Sequence, residues 1–290
     1  MGKSGSDREW GVIKMILKNK NGEIRRVWRL LLLVSPFLLA AYLLRYIPVR
    51  IQTRILINQG LSESSALAQA RYMFLEDPTG ASIVGIIQGS LWYVLVYLLV
   101  RSIEKQPRTL RSFGLAPNKN NPVLLILGVV LGLIMFFIYF AVDITFDKSP
   151  IAWSPEKIGI LQIILVSLDM LANGFGEETA FRAYWQRVLV EHHGMWTGII
   201  LASTSFVLLH LLVAQFTVIT IIAGISIACL FGILYVWTES VYLVGAMHAT
   251  LNLAPRLLGQ WPSDVSLLIV NSLTLAIAVI LYFRFANGEQ

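Results

Sequence analysis

Cysteine and charge are both scarce in this chain of 290 residues. A single cysteine, Cys229, rules out a disulfide framework, and its place in an apolar run reads as a small core residue. Charged residues make up only 14% of the chain, against about 25% in an ordinary soluble domain. No polar stretch is long enough to form a second domain. No internal repeat is visible, which weighs against the repeat-built transporters. What abounds is apolar: 56% of residues are hydrophobic. These features describe an all-α polytopic membrane protein. The net charge of +6 would suggest a nucleic-acid partner in a soluble protein. Here Lys and Arg cluster at the ends of apolar runs, where they report topology, and no nucleic-acid partner is expected.

The apolar runs predict a bundle of about eight transmembrane helices at 27–46, 83–100, 123–142, 158 onward, 198–213, 216–237, 241–258 and 265–283. They make residues 27–286 a single transmembrane domain. The segment 1–26 is basic, with Trp10, Val12, Ile13, Ile16 and Leu17 spaced among lysines. It reads equally as a helix lying on the bilayer surface or as a solvated tail, and it is too long and charged for the 27–46 span that follows it to be a removed signal peptide. Between the first two spans, residues 63–75 carry a helical pattern that Pro78 and Gly80 are expected to end. The basic N-terminus and basic 101–121 loop predict cytoplasmic faces, and the acidic 143–157 loop an outer one. Both termini are then cytoplasmic.

Ionisable groups at membrane depth cost several kcal/mol, roughly, unless they face a cavity or a partner. In the fourth span Glu177 and Glu178 are followed by Arg182. Glu178 and Arg182 are i,i+4 and can pair, while Glu177 faces elsewhere and stays free for chemistry. Asp169 and Asn173 precede Glu177 at helical spacing and extend a polar stripe. The fifth span carries Phe206 and His210, and the seventh carries His248 and Asn252. Singly, a membrane histidine is readily a group hydrogen-bonded to a neighbouring helix, and Asp169 a buried paired carboxyl. As a set they need one wet cavity, because lipid offers no partners. Helix counting puts Glu177 and His210 at similar depth, about 20 Å from the cytosolic end. The region is therefore expected to open to the cytosol.

These residues carry a resemblance. EETAFR (177–182) resembles the EExxxR motif of the CAAX-protease and bacteriocin-processing (CPBP, or Abi) intramembrane proteases. FVLLH (206–210) is similar to their FxxxH motif and HATLN (248–252) to their HxxxN motif, in the same order. The resemblance covers roughly residues 158–255, the motif-bearing core. Ala183 stands where the family often has glycine, a difference of helix packing more than chemistry. HExxH and GxGD signatures of other intramembrane proteases are absent, and no apolar run carries a rhomboid-like GxSG serine.

The resemblance implies an endopeptidase that hydrolyses a peptide bond in a membrane-associated or prenylated, CAAX-type substrate. It gives Glu177 and His210 the water to be activated, and His248 and Asn252 the oxyanion. Glu178 and Arg182 become the supporting ion pair. A second mechanism uses Glu177, His210 and His248 as ligands of one zinc ion. The metal-free route, which requires no cofactor, is preferred because these ligands come from scattered helices. Two further classes remain open: an inactive scaffold or chaperone of the same fold, and a proton-coupled transporter. The compact chain and short loops suit the cell membrane of a prokaryote.

Overall fold

The computed structural model describes residues 17–18, 24–103, 114–116, 118–146, 159–212 and 216–286. Most of the 1–26 segment, with its surface-helix reading, lies outside them, as do most of the basic loop after residue 103 and most of the acidic loop after residue 146. The described residues are almost wholly helical. We label the helices α1 (Arg26–Asn58), α2 (Glu63–Arg71), α3 (Pro78–Ile103), α4 (Asn121–Phe146), α5 (Ile160–Glu178), α6 (Arg187–His193), α7 (Met195–His210), α8 (Val218–Thr238), α9 (Val241–Leu258) and α10 (Asp264–Ala286). A π-helical stretch, Thr179–Gln186, joins α5 to α6 in one rod. Helices or rods occur at all of the expected span positions. Six of them are long and apolar enough to cross a membrane: α1, α3, α4, the α5–α6 rod, α8 and α10. Helix α7 has only 16 residues, and α9 is made less apolar by His248, Asn252 and Arg256. The chain is an integral membrane protein.

Two boundaries differ from the sequence reading, each for a local reason. Helix α1 does not stop near residue 46 but runs on through Pro36 and Pro48. Its last turns bury Val49 and Leu56 against Ala66 and Ala70 of α2, so tertiary packing extends it. The helical stretch over 63–76 ends before Pro78, as expected, but Pro78 and Gly80 also begin α3, ahead of the expected start at 83. The Asp77 carboxylate accepts the backbone N–H groups of Thr79 and Gly80, both at 3.0 Å, as an N-cap. Pro78 then occupies the first helical position, where its missing N–H costs nothing.

The helices pack by close backbone approach, as expected where lipid removes most of the hydrophobic drive between them. Helices α3 and α5 run parallel and touch through Gly89 and Gly176. A Cβ on Gly89 would fall 2.4 Å from the Ala172 carbonyl carbon, and one on Gly176 the same 2.4 Å from the Gly89 oxygen. Helix α9 runs antiparallel to α5 on its other side and parallel to α4. The Tyr139 hydroxyl donates to Asn271 Oδ1 at 2.5 Å, and Asn271 Nδ2 donates to the Ala223 carbonyl at 3.1 Å. These bonds tie α4, α10 and α8 together.

The bundle has two distinct ends. At one, Arg26 donates to His193, and Trp196 stacks on Phe283. The starts of α1, α7 and α9 and the ends of the α5–α6 rod and α10 meet there. At the other, Thr217 donates to Asp264 at 2.7 Å and Ser263 to Asp143 at 2.5 Å. The α1–α2 hairpin also lies at this second end.

Candidate active site

Helix α5 sorts its faces by solvent. Ile160, Leu161, Ile164 and Leu168 are exposed on its lipid side. The polar stripe turns inward. Asn173 Nδ2 donates to Asp169 Oδ1 at 2.6 Å and to the Gly85 carbonyl at 3.1 Å. Gly85 leaves room for this cluster, since a Cβ there would lie 2.0 Å from Asp169 Oδ1.

After Glu178 the rod widens into the π-helical turns. All eight of their residues are buried. A helix buried all round sits at the centre of a bundle, and π turns recur at functional positions. Arg182 projects from this stretch with a fully buried side chain. Its Nε lies 3.1 Å from Glu178 Oε2, and both side chains are 0% exposed. The guanidinium carbon sits 5.1 Å from the Phe206 ring centroid, a cation–π contact. The expected Glu178–Arg182 pair is therefore present.

Helices α7 and α9 bring the other motifs to this rod. His248 lies between the two glutamates: its Nδ1 is 2.9 Å from Glu178 Oε1, and its Nε2 is 3.7 Å from Glu177 Oε2. His210 Nδ1 is 2.9 Å from the Phe206 carbonyl oxygen. A carbonyl only accepts, so His210 Nδ1 carries the proton and Nε2 of the neutral ring is a free base. Phe206 packs against both imidazoles, with centroids 4.5 Å from His210 and 6.2 Å from His248. The imidazole in direct reach of Glu177 is thus that of His248, whereas the sequence reading pairs Glu177 with His210.

Glu177, His210 and Asn252 line one cavity of about 560 Å³. Its floor is apolar and buried, with Trp92, Phe181 and Phe206. Its rim is open: Trp261 is 60% exposed and the Arg256 side chain 44%. The mouth lies at the end of the bundle that holds the α1–α2 hairpin. Towards the other end the site is closed by Tyr184, Trp185 and Val188. The mouth and the start of α1 are therefore on opposite ends. Cytoplasmic termini and a cytosol-facing site, both expected from the sequence, exclude each other. The depth count missed this because it measured from the cytosolic helix ends without knowing which side of Glu177 was packed shut.

The suggested zinc set of Glu177, His210 and His248 is not assembled as a ligand group in this arrangement. Among the described residues no three His, Cys, Asp or Glu side chains gather as a ligand group. The Nδ1 atoms of His210 and His248 are engaged by Phe206 and Glu178, which leaves Nε2 of each ring as the available nitrogen.

Two cavity residues escaped the sequence reading. Arg45 and Arg256 both line the cavity. Arg256 Nη1 lies 3.5 Å from Asp169 Oδ2, and Arg45 Nε donates to Gln88 Oε1 at 3.4 Å. Arg256 follows Asn252 by four residues, so the helical spacing that linked His248 to Asn252 extends to it. Arg45, at the end of an apolar run, reads from sequence only as a topology charge.

Residues 159–254 match the family model described as type II CAAX prenyl endopeptidase Rce1-like. This stretch, about a third of the chain, holds all three motifs with His210 and His248, and over it the chain is similar to the CPBP intramembrane proteases. A search of curated proteins finds no match.

Proposed function

We propose that this Rce1-like chain is an intramembrane endopeptidase that hydrolyses a peptide bond in a membrane-associated polypeptide at the Glu177 end of its cavity. The family supports a CAAX-type peptidase. The observation that carries the residue-level reading is convergence. Three motifs distant in sequence supply Glu177, His210 and Asn252 to one cavity, with His248 beside Glu177.

In this mechanism a water sits between Glu177 and His210 Nε2. Glu177 takes its proton as the water oxygen bonds to the scissile carbonyl carbon. The carbonyl oxygen becomes an oxyanion that Asn252 Nδ2 stabilises, such a donor being worth about 3 kcal/mol. His248 can add a second donor through Nε2 when its ring is the imidazolium, because Nδ1 is committed to Glu178. The carbon–nitrogen bond then breaks, and the proton held by Glu177 passes to the leaving amine. Glu178, fixed by Arg182, orients His248. No step requires a metal.

The excess of basic residues at the end of the bundle holding the start of α1 argues that this end is cytoplasmic. The substrate then reaches the mouth from the outer side or from within the bilayer. The apolar floor supports a reaction chamber over the through-path that a proton-coupled transporter needs.

The test is peptide cleavage by purified protein in detergent, read by mass spectrometry, on farnesylated and unmodified peptides. Native protein is expected to cut, Glu177→Gln and His210→Ala to lose at least 100-fold, and a zinc chelator to change nothing. Cleavage that survives Glu177→Gln would remove the proposed mechanism. Loss under chelator that zinc restores would replace it with a metal mechanism.

A further inference from the structure

Behind the catalytic cluster, on the closed side of Arg182, lies a polar group that the mechanism does not use. Arg182 Nη1 and Nη2, Gln186 Oε1 and Ser203 Oγ have no hydrogen-bond partner among the described residues. Arg182 and Ser203 are 0% exposed and Gln186 is 1%. Packing brings the three together. Arg182 and Gln186 are i,i+4 on the central rod, and the guanidinium carbon sits 5.1 Å from the Phe206 ring centroid. A Cβ on Gly232 of α8 would lie 2.8 Å from Gln186 Oε1 and 2.8 Å from a methyl carbon of Ile199. Ser203 stands between Ile199 and Phe206 on the buried face of α7. It therefore faces the rod between Gln186 and Arg182. Cys229, one turn before Gly232 on α8, is beside Ser203 and in the field of Arg182.

The helices themselves do not satisfy these atoms. Ser167, Ser205 and Ser226 each donate to a carbonyl one turn earlier, as a hydroxyl inside a helix commonly does. Ser203 does not. Gln186 Nε2 donates to the Gly232 carbonyl at 3.0 Å, which leaves Oε1 as an acceptor on the other side of the amide. Arg182 Nε faces Glu178 Oε2, so both Nη groups still carry N–H donors to be met. The Cys229 thiol cannot meet them, because sulfur is a weak donor and a weak acceptor. Unmet donors and acceptors in one dry layer are costly. A buried water with about three polar partners is the usual way such groups are satisfied. The ligand must be neutral, since Glu178 already balances the charge of Arg182 and an anion would add an unpaired one.

We propose that an ordered water is bound in this layer, accepting from an Arg182 Nη group and donating to Gln186 Oε1, with Ser203 Oγ as its third partner. It holds the guanidinium through Nη while Glu178 holds it through Nε. Ser203 and Gln186 are then positioning residues: they fix Arg182, which fixes Glu178, which in turn meets His248 Nδ1 at 2.9 Å. This water is structural and separate from the one that attacks the substrate. The positioning role rests on the endopeptidase reading, whereas the water site does not and is tested without turnover.

The experiment is a crystal structure of the full native chain, at a resolution that shows ordered water, from crystals grown in chloride and in bromide. The expected result is density within hydrogen-bonding distance of an Arg182 Nη atom and of Gln186 Oε1 or Ser203 Oγ, with no anomalous bromide signal. A bromide peak there would make this an anion site and overturn the proposal. Direct bonds among the three side chains, with no density between them, would overturn it too. Neither result depends on a variant that must fold. The positioning role is read from steady-state kinetics of Ser203→Ala and Gln186→Leu on a peptide the native protein cleaves. Each should lower kcat about tenfold, as loss of one hydrogen-bonded contact provides, and leave KM within about twofold. Unchanged kcat, or an effect confined to KM, would overturn that role. Water density in a protein that cleaves no peptide would leave the site and remove the endopeptidase reading.

Discussion

Replacing Arg182 by methionine would leave the Glu178 carboxylate fully buried without its cation. The pair is 3.1 Å apart with both side chains 0% exposed, which corresponds to about 5 kcal/mol of attraction at an effective dielectric of 20. Breaking a buried pair by removing one partner costs about 3–5 kcal/mol. Glu178 keeps His248 Nδ1 at 2.9 Å, so we expect the lower value, about 3 kcal/mol. Glu178→Gln alone strands the guanidinium and should cost a similar amount. The double variant Glu178→Gln with Arg182→Met removes both charges. It should be more stable than the sum of the single changes predicts by about 2 kcal/mol. The assay is a double-mutant cycle on reversible unfolding in mixed detergent micelles. Single effects that add to within about 0.5 kcal/mol would refute the reasoning, because a pair held only by geometry has no coupling to lose.

Other expectations follow from the same geometry. Asn252→Ala should lower kcat by about 100-fold to 1,000-fold with little change in KM, as loss of an oxyanion donor does; steady-state kinetics on the cleaved peptide decides it. Gly85→Ala brings a methyl group to 2.0 Å from Asp169 Oδ1, so it should push Asp169 from its place and lower the thermal midpoint measurably, by about 1–3 kcal/mol of overpacking. Trp261→Cys at the exposed rim should react with a membrane-impermeant maleimide added to intact cells, while buried Cys229 stays silent. Labelling only after the cells are opened would reverse the proposed orientation.

Much of this molecule is legible in its sequence, because hydrophobic period and length mark a membrane helix without tertiary help. Helix α9 begins and ends at the expected residues, 241 and 258, where Ser240 caps its start and Gly259 takes the left-handed conformation after its end. The Asp169–Asn173–Glu177 stripe is equally visible, since i,i+4 spacing alone puts those side chains on one face. What failed depended on partners. Helix α1 outruns its apolar stretch because α2 packs on it, and Pro48 reads as a boundary when that packing is unknown. The π-helical turns after Glu178 have no period of their own in the sequence. The nearness of His248 to Glu177, where His210 was expected, depends on how α9 lies against α5. That crossing is set by small contacts, such as a Gly174 Cβ position only 2.8 Å from the Ala249 nitrogen. The direction of the mouth was hidden too, because hydropathy does not reveal which half of a buried rod is covered.

The central claim is that Glu177, at the wall of the shared cavity, activates the water that cuts a peptide bond. The most direct measurement is incubation of native protein and Glu177→Gln with substrate peptide in oxygen-18 water, followed by mass spectrometry of the products. The account predicts one heavy oxygen in the new carboxylate with native protein, and at least 100-fold less product with Glu177→Gln under the same folding and binding. Unchanged product formation by Glu177→Gln would contradict it.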